Sequence, residues 1–205
     1  SSADVIVAAG DIDTKGRSVA AIAEIADGRP AILIAGNHEF YGGEYGRTLA
    51  KLERETLKYP NIHFLHDQAV VISEVAFIGS TLWTDMRLFE EGPYAGLYSH
   101  QEAVCDVSVG MNDYRRVKWG SRPMRASDTL HLHALAVSKI KDLADQHDDK
   151  KVVVVTHHLP RLQGVHESYH HDILSAAYAS NLEDVVRYTQ AALLVHGHSH
   201  TISDY

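Results

Sequence analysis

Four short polar clusters carry the residue types of a metal centre: Gly10-Asp11, Gly36-Asn37-His38-Glu39, Thr156-His157-His158 and His196-Gly197-His198-Ser199-His200. Carboxylate, amide oxygen and imidazole are ligands for a borderline or hard divalent ion such as Mn, Fe or Zn. Thiolate ligation has only Cys105 to draw on, which also excludes an internal disulfide. In an extended segment His198 and His200 project to the same side, because side chains alternate along a strand. Gly36 and Gly197 would let the backbone approach an ion closely. Singly, Gly-Asp fits a turn, Asn-His fits a loop and a histidine pair fits the surface. Their joint placement is what points to a metal site.

Each cluster directly follows an apolar run, at residues 5–9, 31–35, 152–155 and 191–195. In open α/β sheets the ligand crevice lies beyond the carboxyl ends of the strands. Four parallel strands in one sheet would therefore bring the four clusters to one rim. Around them the pattern predicts helices at 19–26 and at 44–58, the second with Leu49, Leu52 and Leu57 on one side. Short strands are expected at 62–65, 69–72 and 75–79, the last two joined by a Ser73-Glu74 turn. Ser127 reads as the N-cap of a helix to residue 146, with Leu132, Leu135, Ala136, Ile140, Leu143 and Ala144 as its apolar side. Asn181 reads as the cap of a helix to residue 189, and 158–180 as a loop or broken helix. The expectation is a single α/β domain over residues 1–205, its strands largely buried on both faces. An irregular insertion or cap lies at about 84–126, with one helix near 100–109.

With 205 residues, 45% of them hydrophobic and 22% charged, the chain can bury a substantial core and is not a disordered one. No apolar run approaches the ~20 residues that cross a bilayer. The net charge is −8 and no lysine- or arginine-rich run stands out, which argues against a binder of nucleic-acid phosphates. A bound cation can still make part of an acidic protein locally positive. Histidine is the unusual residue, with 15 in all and eight between His157 and Tyr205. The lone cysteine and the lack of a signal-peptide region make the cytoplasm the expected location.

In their order along nearly the whole chain, the four clusters resemble the calcineurin-like metallophosphoesterase superfamily. Thr81-Leu82-Trp83-Thr84-Asp85 and Met111-Asn112-Asp113-Tyr114-Arg115-Arg116 look like segments of the bacterial predicted phosphohydrolases within it. The resemblance implies a sheet-centred sandwich with flanking helices. It also implies a metal-dependent phosphoesterase that hydrolyses phosphomonoesters or phosphodiesters with metal-activated water. Asp11 would bridge two metals, Asn37, His157 and His198 would complete one, and His200 would serve the other. His38 would stay off the metals and act on the phosphoryl group or the leaving group. One or two divalent ions are implied, Mn, Fe or Zn ahead of Mg, with a small phosphate ester as partner and neither nucleic acid nor membrane.

The family opens with an Asp-x-His motif, and none precedes Gly10. The expectation is therefore an incomplete copy of the fold, lacking its first and last strands, with two unequally held ions. The competing reading is a catalytically impaired binding or scaffold module of the same fold. Asp13 is a spare carboxylate near the site. Arg115 and Arg116 could clamp a phosphate, alongside Asn37 and His38. His166, His170 and His171 could border the substrate pocket, while Trp83 and Cys105 read as buried core residues.

Overall fold

The computed structural model describes residues 3–205. Three short strands, β1 (Ile6–Ala8), β2 (Ala31–Leu33) and β3 (Ile62–Phe64), form a parallel sheet in the order β1-β2-β3. Helices α1 (Ser18–Ala26) and α2 (Tyr45–Thr56) make the crossovers. Strands β4 (Gln68–Ile72) and β5 (Val75–Ser80) form the predicted hairpin, with Ile72 paired to Val75 and Ser73 at φ 55° in the turn between them.

The irregular segment then supplies α3 (His100–Gly110), α4 (Asp113–Arg116) and a small hairpin of β6 (Lys118–Trp119) and β7 (Arg122–Pro123). Helix α5 (Ala126–Asp145) leads to β8 (Lys151–Thr156), and α6 (Glu183–Thr189) leads to β9 (Leu193–His196). Strands β4-β5-β8-β9 form the second sheet in that order, parallel except for the β4–β5 pair. Residues 158–180 are broken into short 3₁₀ turns, as their lack of periodicity predicts.

The four cluster-bearing strands thus do not share a sheet. β1 and β2 lie in one, β8 and β9 in the other, and the two sheets pack face to face. Strand alternation builds the layers. Ile32 and Ile34 meet Phe77, Val153 and Val155 between the sheets. Ala31 and Leu33 face Val19, Ile22 and Leu52 of α1 and α2. Val152 and Val154 face Ala136 and Ile140 of α5 and Val185 of α6. Both faces of each sheet are therefore covered, which is why the strands read as continuous apolar runs. Each buried branched side chain here contributes about 1.5–3 kcal/mol relative to exposure.

Several local expectations change. Helix α5 starts one residue before Ser127, and the residue flanking it is Arg125, whose backbone N–H donates to Asp128 Oδ2 at 2.8 Å. Its inner stripe is Thr129, His133, Ala136, Ile140 and Ala144, while Leu135 is exposed. Ala136, Ile140 and Ala144 are buried and Leu132 and Leu143 pack partly buried on the core, as expected; Leu135 is the exception, and a polar residue, His133, takes a place on the buried face. Leu57 lies past the end of α2 and is exposed. Leu182, not Asn181, flanks α6, and Asn181 instead donates to the Leu88 carbonyl at 3.0 Å. Cys105 is exposed on α3, whose buried residues are Ala103 and Val107. Trp83 is buried against Phe40, as expected.

Candidate metal centre

The site forms where the carboxyl ends of β1 and β2 meet those of β8 and β9. His157, just past β8, is fully buried. Its Nδ1 lies 2.7 Å from the Ala9 carbonyl oxygen, which can only accept, so Nδ1 carries the proton. That leaves the Nε2 lone pair aimed inward, 3.1 Å from Asn37 Oδ1, 3.1 Å from His198 Nδ1 and 3.4 Å from Asp11 Oδ2. Glycines make room for this ring. A Cβ on Gly10 would sit 2.6 Å from His157 Nδ1, and one on Gly36 would overlap Asp11 Oδ1 and reach 2.5 Å from His157 Cε1.

The inward-facing atoms are a carboxylate oxygen, an amide oxygen and imidazole nitrogens. The Asn37 amide is held in that orientation because its Nδ2 donates to Asp113 Oδ1 at 2.8 Å and to Tyr41 Oη at 3.2 Å. Asp11 Oδ2 and His198 Nε2 are buried without a hydrogen-bond partner among the described residues. Ligand atoms of Asp11, His157 and His198 all lie within 4.8 Å of one another. Acceptors converging on one point repel unless a cation sits among them. The donor set suits a borderline divalent ion.

The electrostatics agree. Burial pushes the Asp11 carboxyl up, but the pull of His157 and the His38 N–H outweighs it and holds the group at about 2. Burial opposes charge on His157, yet the Asp11 carboxylate raises its pKa above the ordinary value. His198 goes the other way, held well below its usual pKa by burial and then by the neighbouring histidines.

Backbone strain accompanies the site. Asp11, His198 and His200 adopt φ of 57°, 65° and 54°, the left-handed region that side chains seldom occupy. Glu39 offsets part of this at the first two strand ends. Its fully buried carboxylate accepts from Asp11 N at 2.9 Å and Gly36 N at 2.8 Å through Oε2. Through Oε1 it accepts from Ile12 N and Ser18 Oγ, both at 2.8 Å. One side chain thereby ties the loop after β1 to the loop after β2.

The structure brings Asp11, Asn37, His157 and His198 together. His38 stands at the rim with its side chain 46% exposed and Nδ1 3.9 Å from Asp11 Oδ2. His200 is exposed, and it lines the opening shared with Asp11 and His38. Asp13 turns to Arg17. Arg115 bonds to the Gly110 carbonyl and Asn112 Oδ1, and Arg116 lies 5.7 Å from the Tyr41 ring centroid. His158, the second of the histidine pair, is buried rather than on the surface; its Nδ1 contacts the Thr81 carbonyl at 3.0 Å, and burial lowers its pKa to about 3. His166 borders the larger of the hollows beside the site, His170 bonds to the Val165 carbonyl, and His171 packs on Tyr94.

Asp113, Tyr41 and Glu39 carry roles that sequence reasoning did not assign. For Glu39 a signal was present: an acidic residue directly after a buried strand, within a run that must itself be buried. Asp113 stands 76 residues from Asn37 and gave no local signal.

The fold is shared with the crystal structure of a phosphopantetheinyl hydrolase from Mycobacterium tuberculosis, with TM-score 0.70, 16% identity, and 98% of this chain and 75% of that one covered. No protein of curated function matches the sequence. The calcineurin-like phosphoesterase profile matches residues 1–201, spanning all four polar clusters. The chain belongs to the calcineurin-like phosphoesterase family.

Proposed function

We propose that this protein hydrolyses phosphomonoesters or phosphodiesters with a divalent ion held by Asp11, Asn37, His157 and His198. The observation that carries the reading is the convergence of a carboxylate oxygen, an amide oxygen and imidazole nitrogens on one point, with Asp11 Oδ2 and His198 Nε2 lacking a hydrogen-bond partner among the described residues. A bound divalent ion supplies Lewis acidity towards a phosphoryl oxygen and lowers the pKa of water. The imidazole and amide donors favour Mn, Fe or Zn over Mg.

The chain's own groups do the rest. Ala9 fixes the His157 tautomer, and Asp113 fixes the Asn37 amide. His38, exposed at the rim and backed by Asp11, is placed to donate a hydrogen bond to a phosphoryl oxygen or a proton to the departing alkoxide. His200, at the edge of the same opening, is the candidate ligand for a second ion. The domain is read as one unit over 1–205, with the segment at about 84–126 contributing Asp113 to the site.

The test is turnover of bis(p-nitrophenyl) phosphate by purified protein with Mn, Fe, Zn or Mg added. Metal-dependent hydrolysis lost in Asp11→Ala and in His198→Ala supports the reading. Folded, metal-loaded protein without turnover of monoester or diester overturns it.

A further inference from the structure

Beside the metal centre lie two hollows, one of about 270 Å³ containing Asp11, Asn37 and His38, and one of about 620 Å³. They meet at Met111, Leu174, Tyr178, His198 and His200, which line both. The larger hollow has the size of a small-molecule site and is far more than a phosphoryl group needs. From the geometry we infer that it receives the organic arm of the substrate, and that this arm is aromatic or otherwise apolar and carries no further phosphate. The inference rests on the phosphoesterase reading for the position of the phosphoryl group, and goes beyond it in naming the arm.

The walls give the chemistry. Met111, Val165 and Leu174 present apolar surface and Tyr169 and Tyr178 present rings, between hydroxyls of Ser168, Ser175 and Thr201 that leave the hollow mixed rather than purely apolar. The Tyr178 ring packs against His198 with centroids 4.4 Å apart, so it ties the hollow to the ligand shell. Tyr169 is 57% exposed and lines the larger hollow, with the His166 ring edge-on to it at 6.3 Å, so its ring is accessible to a ligand. Charge points the same way. Neither hollow is lined by a lysine or arginine, the residues that would hold a second phosphate. The charged carboxylate in the larger one is Asp172, kept in place by the Leu174 N–H at 2.9 Å, and it would repel an anionic arm. Arg115 and Arg116, the nearest arginines in sequence to Met111, line neither hollow.

The test compares phosphonates, which cannot be hydrolysed, by calorimetry on the Mn-loaded full chain. Three arms are used: methyl, naphthylmethyl and 2-carboxyethyl. The naphthylmethyl compound is expected to bind about tenfold or more tightly than the methyl one. Tyr169→Ala, at an exposed position, should remove most of that preference and leave methylphosphonate affinity unchanged. Asp172→Lys should tighten binding of the carboxyethyl compound selectively. Equal affinity for the methyl and naphthylmethyl arms, an aryl preference untouched by Tyr169→Ala, or no binding of the aryl compound overturns the inference. Aryl-selective binding without hydrolysis of any ester would sink the phosphoesterase reading and leave this one standing. Hydrolysis with no preference between arms would do the reverse.

Discussion

Asp113 Oδ1 accepts a 2.8 Å hydrogen bond from Asn37 Nδ2, and this contact decides which end of the Asn37 amide faces the histidines. Both residues are almost fully buried, so no water competes for the amide. A flipped amide would present N–H donors to a cation. Such supporting contacts typically govern metal affinity by about 10- to 100-fold. Asp113→Ala should therefore weaken Mn or Zn binding about tenfold, measured by calorimetry, while the melting temperature of the metal-free protein bounds any general loss of stability. Unchanged affinity in a folded variant would mean that Tyr41 alone orients the amide.

Much of this site is legible because its candidate ligands fall directly after apolar strands, and local order along the chain records that. Asp11, Asn37, His157 and His198 are found this way. What the sequence hides is how the strands are shared out. Continuous apolar runs such as 152–155 report burial on both faces, and a single central sheet and two stacked sheets bury strands equally well. Side-chain supports separated by long stretches of chain are hidden for a related reason. Asp113 lies in a segment without periodicity, and nothing near it indicates that it reaches Asn37. His133 is a third case, a polar residue on the buried face of α5, whose place is set by backbone carbonyls at the end of β5 rather than by hydrophobicity.

Glu39 should prove a keystone of stability rather than of chemistry. Its fully buried carboxylate accepts from four backbone N–H groups at 2.8–3.4 Å and from the Ser18 hydroxyl at 2.8 Å. Glu39→Gln keeps the shape but turns an N–H₂ group towards those donors. Loss of charge-assisted bonds and two or more unpaired donors should cost roughly 3–5 kcal/mol. Urea unfolding of the metal-free protein measures it. A loss below about 1 kcal/mol would show that the loops after β1 and β2 hold their shape without it.

His133 makes stability depend on pH. Its Nδ1 lies 3.2 Å from the Leu82 carbonyl oxygen and 3.3 Å from that of Trp83, so this nitrogen donates. Burial lowers its pKa below the ordinary value, against the opposing pull of Asp85 and the two carbonyls. The folded state then binds a proton less readily than the unfolded state. Its contribution is complete above the unfolded pKa of about 6.5 and declines as pH falls towards the lower folded value. The slope is at most about 1.4 kcal/mol per pH unit for one such group. Unfolding free energies between pH 7.5 and 5 should therefore fall less steeply in His133→Gln than in the parent protein. Parallel profiles would show that the ring titrates alike in both states.

Asn37→Ala and His157→Ala should release the bound ion, whereas His38→Ala should retain it and lose turnover. The distinction follows from position. Asn37 Oδ1 and His157 Nε2 face each other at 3.1 Å inside the acceptor cluster, while the His38 ring stands at the rim, nearly half exposed. Removing one of four ligands leaves three, and retention of a divalent ion against solvent falls steeply with ligand count. A group that stabilises or protonates the departing oxygen changes rate instead, by roughly 10²–10⁴ for general acid catalysis. Metal per chain after gel filtration, with the melting temperature to confirm folding, reads the first effect; hydrolysis of an aryl phosphodiester at saturating metal reads the second. His157→Ala also opens a cavity among the close-packed glycines, so Asn37→Ala is the cleaner arm. Full metal content in folded Asn37→Ala together with loss of metal from His38→Ala would reverse the assignment of ligand and catalytic roles.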